Sequence, residues 1–173
     1  TGLRAFIGLG DNNTASGAYS SIIGGQSNTV SGAHSVAAGG LTNNVSSTHS
    51  VISGGSSNGI TAQYGTIAGG YSNQVSASSG TISGGYNNTL SNGATFAAVG
   101  GGTNNTTSAS SSTVGGGNSN TASGSSSTIS GGNSNAASGQ NSTIGGGISN
   151  NASAISTTIG GGNTNSVAAT HGT

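Results

Sequence analysis

Apolar and polar residues alternate along this chain with a period that no helix shares. Gly recurs at 10, 25, 40, 55, 70, 85, 102, 117, 132, 147 and 162, a step of 15 broken once by a step of 17. Three residues after each stands an asparagine: Asn13, Asn28, Asn43, Asn58, Asn73, Asn88, Asn105, Asn120, Asn135, Asn150 and Asn165. Five after the Gly comes a small or β-branched residue, as at Val30, Val45, Ile60 and Val75. Seven further on a second apolar column includes Ile22, Ile52, Ile67, Ile82, Val99, Val114 and Ile129.

Self-similarity at a short fixed period is the mark of a stacked repeat architecture. Each repeat divides into two half-units, such as 117–124 and 124–131, in which a polar residue, an apolar residue and a Gly or small residue sit at i, i+2 and i+4. Alternate residues of a strand share a face, so all three are expected to point inward. The glycines permit the positive φ or close approach of a tight corner, and Asn and Ser can bond the turn's own backbone. An inward Asn ladder would also satisfy the neighbouring coils. The sequence therefore predicts an all-β parallel solenoid, a β-roll of eleven coils over residues 7–173, with residues 1–6 as an N-terminal overhang. Two extra residues preserve the in/out alternation, so the insertion within 91–98 reads as a bulged turn carrying Phe96. At ~4.8 Å per coil the rod would be about 50 Å long.

Composition sharpens the picture by exclusion. One Lys or Arg, one Asp or Glu, and no Cys, Pro, Met or Trp occur in 173 residues. Such a chain has too little apolar surface to order itself without repetition or association. The 36 Gly are not spaced by three and there is no Pro, which rules out a collagen helix. With Arg4 as the only fixed cation, neither nucleic acid nor an anionic membrane surface has a basic patch to meet. No apolar run approaches a membrane span. The lack of an initiator Met or leader reads as a mature form or a piece of a longer chain. One apolar pair per coil makes a thin core, so association with further copies is expected.

Runs such as Gly-Gly-Gly-Asn-Ser-Asn-Thr-Ala-Ser-Gly-Ser-Ser-Ser-Thr-Ile, from Gly115 to Ile129, resemble the head repeats of YadA-type trimeric autotransporter adhesins, and related repeats of bacterial and phage fibres. The resemblance spans residues 7–173. It implies a left-handed parallel β-roll that trimerises side by side, at a bacterial cell surface or outside the cell, and that binds a host matrix or another surface. No coiled-coil stalk and no membrane anchor accompany it in this sequence, and the surface carries far less charge than a host-binding head implies.

Candidate chemistry is sparse. Asp11 is the only carboxylate and Arg4 the only strong cation, so no paired-carboxylate or triad site can be assembled within one chain. The expectation is a non-enzyme without a cofactor. His34, His49 and His171 fall nine after the repeat Gly, in the column that also holds Tyr19 and Tyr64. Successive coils thus read Tyr, His, His, Tyr, a candidate surface-binding ladder. Metal binding there would need convergent ligands from other chains, and a plain stacked ladder at a turn is the simpler reading. Tyr71 and Tyr86, just after the Gly, form a second patch suited to a sugar or a partner, or to surface packing. A Thr column eleven after the Gly, Thr66, Thr81, Thr113, Thr128, Thr143, Thr158 and Thr173, admits ice binding, against a cross-strand ladder that merely stabilises the sheet. Seven Asn-x-Ser/Thr sequons begin at Asn12, Asn44, Asn87, Asn104, Asn105, Asn141 and Asn151. Solenoid ends are open edges, so Leu3, Arg4, Phe6 and Thr173 are the candidate subunit junction of a head-to-tail filament.

Overall fold

The computed structural model describes residues 2–169. It is a parallel β-solenoid of 22 two-residue strands, with no helix among the described residues. The strands form two 11-stranded parallel sheets, each joining alternate strands in chain order. The first sheet runs from Phe6–Ile7 to Thr158–Ile159, the second from Thr14–Ala15 to Ser166–Val167. Each coil contributes one strand to each.

Pairing follows the repeat: Ile52 lies beside Ile67 and Val45 beside Ile60, partners 15 apart. Across the insertion Ile82 pairs with Val99 and Leu90 with Thr107, so like residues still stack although 17 positions separate them. The surplus is confined to the turn at Ser91, Asn92 and Gly93, closed by the Ala94 amide on the Ser91 carbonyl at 3.1 Å.

The second residue of nearly every strand is buried, which places Ile22, Ile52, Ile67 and Ile129 from one sheet against Val30, Val45, Ile60 and Leu90 from the other. Burial of a Val or Ile is worth about 1.5–3 kcal/mol. Toward the C-terminus the second sheet contributes Ala122, Ala137 and Ala152, and the core narrows before the partly buried Val167 of the last strand.

Residues 2–6, expected as an overhang, are part of the stack. Gly2 donates to the Ala15 carbonyl at 3.1 Å, Tyr19 donates to the Leu3 carbonyl at 2.8 Å, and Phe6 pairs with Ser21. Their pattern is that of the corner preceding every strand of the first sheet, with Gly2 in the place of Gly17 and Gly32 but Ala5 in the place of the usual Ser. Thr173, assigned to the junction, and His171 lie outside the described residues.

The repeat glycines turn the first corner with left-handed backbone, φ +83° at Gly55 and +91° at Gly85. A Cβ at Gly85 would sit 2.2 Å from the Gly102 carbonyl oxygen of the next coil. Glycine is thus required twice over, by conformation and by contact. It does not supply all the positive-φ residues, however. Among the described residues 22 non-glycines have φ between 53° and 61°, two per coil, for instance Ser57 and Tyr64. This conformation costs an L-residue roughly 1–2 kcal/mol. It reverses one amide: Ser56 donates forward to Gly70 at 2.9 Å, whereas Ser57 donates back to Leu41 at 2.9 Å. Both neighbouring coils are thereby bonded from one corner.

Candidate functional site

The two corners of a coil present different chemistry. At the first, the Asn column forms a continuous ladder. Asn58 accepts at its Oδ1 from the Asn73 amide at 3.0 Å and the Asn73 Nδ2 at 3.2 Å. Its own Nδ2 donates to the Gly54 and Gly70 carbonyls at 3.1 and 3.0 Å, and its amide to Asn43 Oδ1 at 3.0 Å. The arrangement repeats from Asn28 through Asn150, across the insertion included, where the Asn105 amide reaches Asn88 Oδ1 at 2.9 Å. These amides are buried and saturated, and leave nothing for a ligand.

At the second corner the side chains point to solvent. Tyr19 and His34 stack with ring centroids 4.9 Å apart, His34 and His49 at 5.2 Å, and His49 and Tyr64 at 5.3 Å, with planes within 19° of parallel. Arg4 lies over the other face of Tyr19, 5.7 Å from its centroid. The stack is therefore one rung longer than Tyr, His, His, Tyr, and Arg4, assigned above to a junction, is its first rung. Because each ring covers its neighbour's face, the column between Tyr19 and Tyr64 offers edges to solvent, a row of hydroxyl and imidazole groups, and leaves a ring face open only at its Tyr64 end. Two face-stacked imidazoles do not converge on one ion, and the described residues hold no group of three His, Cys, Asp or Glu.

Tyr71 and Tyr86 stack separately at 5.5 Å, on the Asn-bearing corner, in the bridged column that runs from Asp11 to Asn163. The six aromatic positions thus divide between two corners. Leu3 and Phe6 are exposed beside Arg4. Asp11, at the Asn-bearing corner, is bonded by Asn12 Nδ2 at 3.2 Å. Of the sequons, Asn105 is buried in its ladder and closed to modification, while Asn12, Asn44, Asn87, Asn104, Asn141 and Asn151 are exposed.

Two features escaped the sequence pattern. Phe96 occupies the same corner position as Tyr19 and Tyr64, with φ +61° and its amide on the Ser78 carbonyl at 3.1 Å, although the insertion shifts it by two in the count along the sequence. The outer face of the second sheet also bears a Ser rank that includes Ser16, Ser31, Ser91, Ser108 and Ser123, beside a Thr column, Thr14, Thr29, Thr89, Thr106 and Thr121, interrupted by Asn44, Gly59 and Gln74. Counting from the repeat Gly would have found both ranks. No helix among the described residues is long and apolar enough to cross a membrane. No protein-family model matches the chain, and no curated protein matches it either.

Proposed function

We propose that the chain is a non-enzymatic, extracellular structural and adhesive fibre segment that associates laterally as a homotrimer, in the manner implied by the YadA-type resemblance, with end-to-end stacking as a further step. One observation carries this. The outer face of the first sheet is an uncharged strip over eleven strands, with Val36, Val51, Thr66, Thr81, Thr113, Thr128, Thr143 and Thr158 in one column and Ile23, Ala38 and Ala68 in the next. Interface centres are depleted in charge. Its area is on the order of 700 Å² for a rod of this length, close to the ~800 Å² per partner of a specific interface. Sedimentation velocity on the purified chain tests it. A trimer that falls apart in a Val36→Lys, Val51→Lys variant of unchanged circular dichroism supports the proposal; a monomer at tens of micromolar removes it.

Ice binding is the second reading, favoured by the paired Thr and Ser on three successive coils of the opposite sheet, at Thr89, Thr106 and Thr121. It requires thermal hysteresis or inhibited ice recrystallisation at micromolar protein, and their absence eliminates it. A surface-binding head within a longer protein is the remaining alternative, and requires a saturable ligand.

A further inference from the structure

The aromatic corner carries an interrupted ladder. Its rungs are Arg4, Tyr19, His34, His49, Tyr64, then Ser79, then Phe96, each with φ between 54° and 61°. Wherever ring follows ring in this column, the centroids lie 4.9 to 5.3 Å apart. Ser79 brings no ring. Tyr64 and Phe96 therefore stand two strand spacings apart, about 10 Å, and the space between them is one ring wide at the ladder's own period. Exposure agrees: Tyr19, flanked on both faces, is 44 % exposed, whereas Tyr64 is 57 % and Phe96 67 % exposed.

We propose that this gap is a ring-binding slot whose occupant is one pyranose of a neutral, all-equatorial (β-gluco) glycan, stacked between Tyr64 and Phe96. Aromatic faces are electron-rich and attract C–H groups. An all-equatorial pyranose turns only axial C–H bonds toward both faces, whereas an axial hydroxyl would be stripped of water against a ring with no partner. The rim supplies neutral hydrogen-bonding groups for the equatorial hydroxyls: exposed Gln63 and Ser78 in the adjoining column and the Ser79 hydroxyl on the floor. Acidic sugars and nucleotides find no counter-charge, because Arg4 is five rungs away, roughly 24 Å. The slot gives the adhesive part of the proposed function its ligand class and rests on that reading for its purpose, but it lies within one chain and does not need the trimer.

The test is an NMR titration of the purified full chain with methyl β-glucopyranoside, following the Tyr and Phe ring resonances, on the parent and on Ser79→Tyr and Phe96→Ser. Ser79→Tyr places in the gap a residue that the same corner already accepts at Tyr19 and Tyr64, so its melting temperature should match or exceed the parent's. Saturable binding with a Kd of about 1–10 mM is expected for a single ring. It should weaken at least tenfold in both variants, and several-fold for the α-mannoside and β-galactoside, which carry an axial hydroxyl. Undiminished binding by Ser79→Tyr, or no saturable binding in the parent, overturns the proposal. So does occupation by p-cresol but not by glucoside, which would make the slot a receptor for an aromatic side chain. Sedimentation of the same samples separates the two claims: a monomer that binds removes the fibre and keeps the slot, and a trimer that does not bind removes the slot alone.

Discussion

The two corners of each coil are built from the same left-handed backbone yet differ in what they tolerate. The Asn-bearing corner repeats without exception through eleven coils, and its glycines touch the next coil closely enough to exclude a Cβ. The opposite corner holds Arg, Tyr, His, Ser, Phe or Asn at its turning residue, and it alone absorbs the insertion. The difference is one of neighbours. The first corner's Asn side chains are inside, bonded to the coils above and below, and only its bridged column, with Tyr71 and Tyr86, faces out; the second corner's turning side chains are outside, bonded mainly through their backbone. A solenoid can vary its chemistry only at positions that face out, which is why the ring ladder and the slot occur at the second corner's turning residue and the Tyr71–Tyr86 pair in the first corner's bridged column.

This contrast can be broken in a graded way. Inserting Asn-Gly between Ser119 and Asn120 should be the most damaging change, since it displaces the ladder at Asn120 from Asn105 and Asn135; loss of cooperative unfolding by circular dichroism is expected, and a parent-like melt would refute the contrast. Gly85→Ala should destabilise by about 4 kcal/mol or more in urea, because the Cβ meets backbone 2.2 Å away and no side chain can yield. Thr107 is the only hydroxyl-bearing residue in its core column among the described coils, buried with its Oγ1 unpaired. Thr107→Val should therefore raise stability by about 1 kcal/mol, seen as a higher urea midpoint at unchanged slope. Deleting Asn92 and Gly93, which restores the 15-residue step, should have the smallest effect, within about 1 kcal/mol of the parent.

Much of the architecture was legible because eleven copies average out local ambiguity: any one Gly-x-x-Asn is uninformative, but a column of them fixes register and which residues face in. The Asn ladder was readable for the same reason. The left-handed non-glycine residue of each corner was not, since Ser, Tyr and His at those positions have no common signature, and their conformation follows from the need to send one amide back to the preceding coil. Phe96 was missed as a rung because two inserted residues hide its column. Residues 2–6 looked like an overhang because Leu3, Arg4 and Ala5 lack the usual corner residues, although they make its hydrogen bonds.

The most direct measurement compares two variants of one coil, Asn58→Ala and Tyr64→Ser, by urea unfolding. Asn58→Ala orphans the Asn73 amide and the Gly54 carbonyl and removes one of the two donors to the Gly70 carbonyl, which keeps the Ser56 amide, and should cost about 2–4 kcal/mol. Tyr64→Ser gives this coil the residue found at the same corner in Ser79, Ser111 and Ser126, and should cost under about 1 kcal/mol. Equal losses, or a larger loss for Tyr64→Ser, would contradict the division between a corner that holds the fold and a corner free to bind.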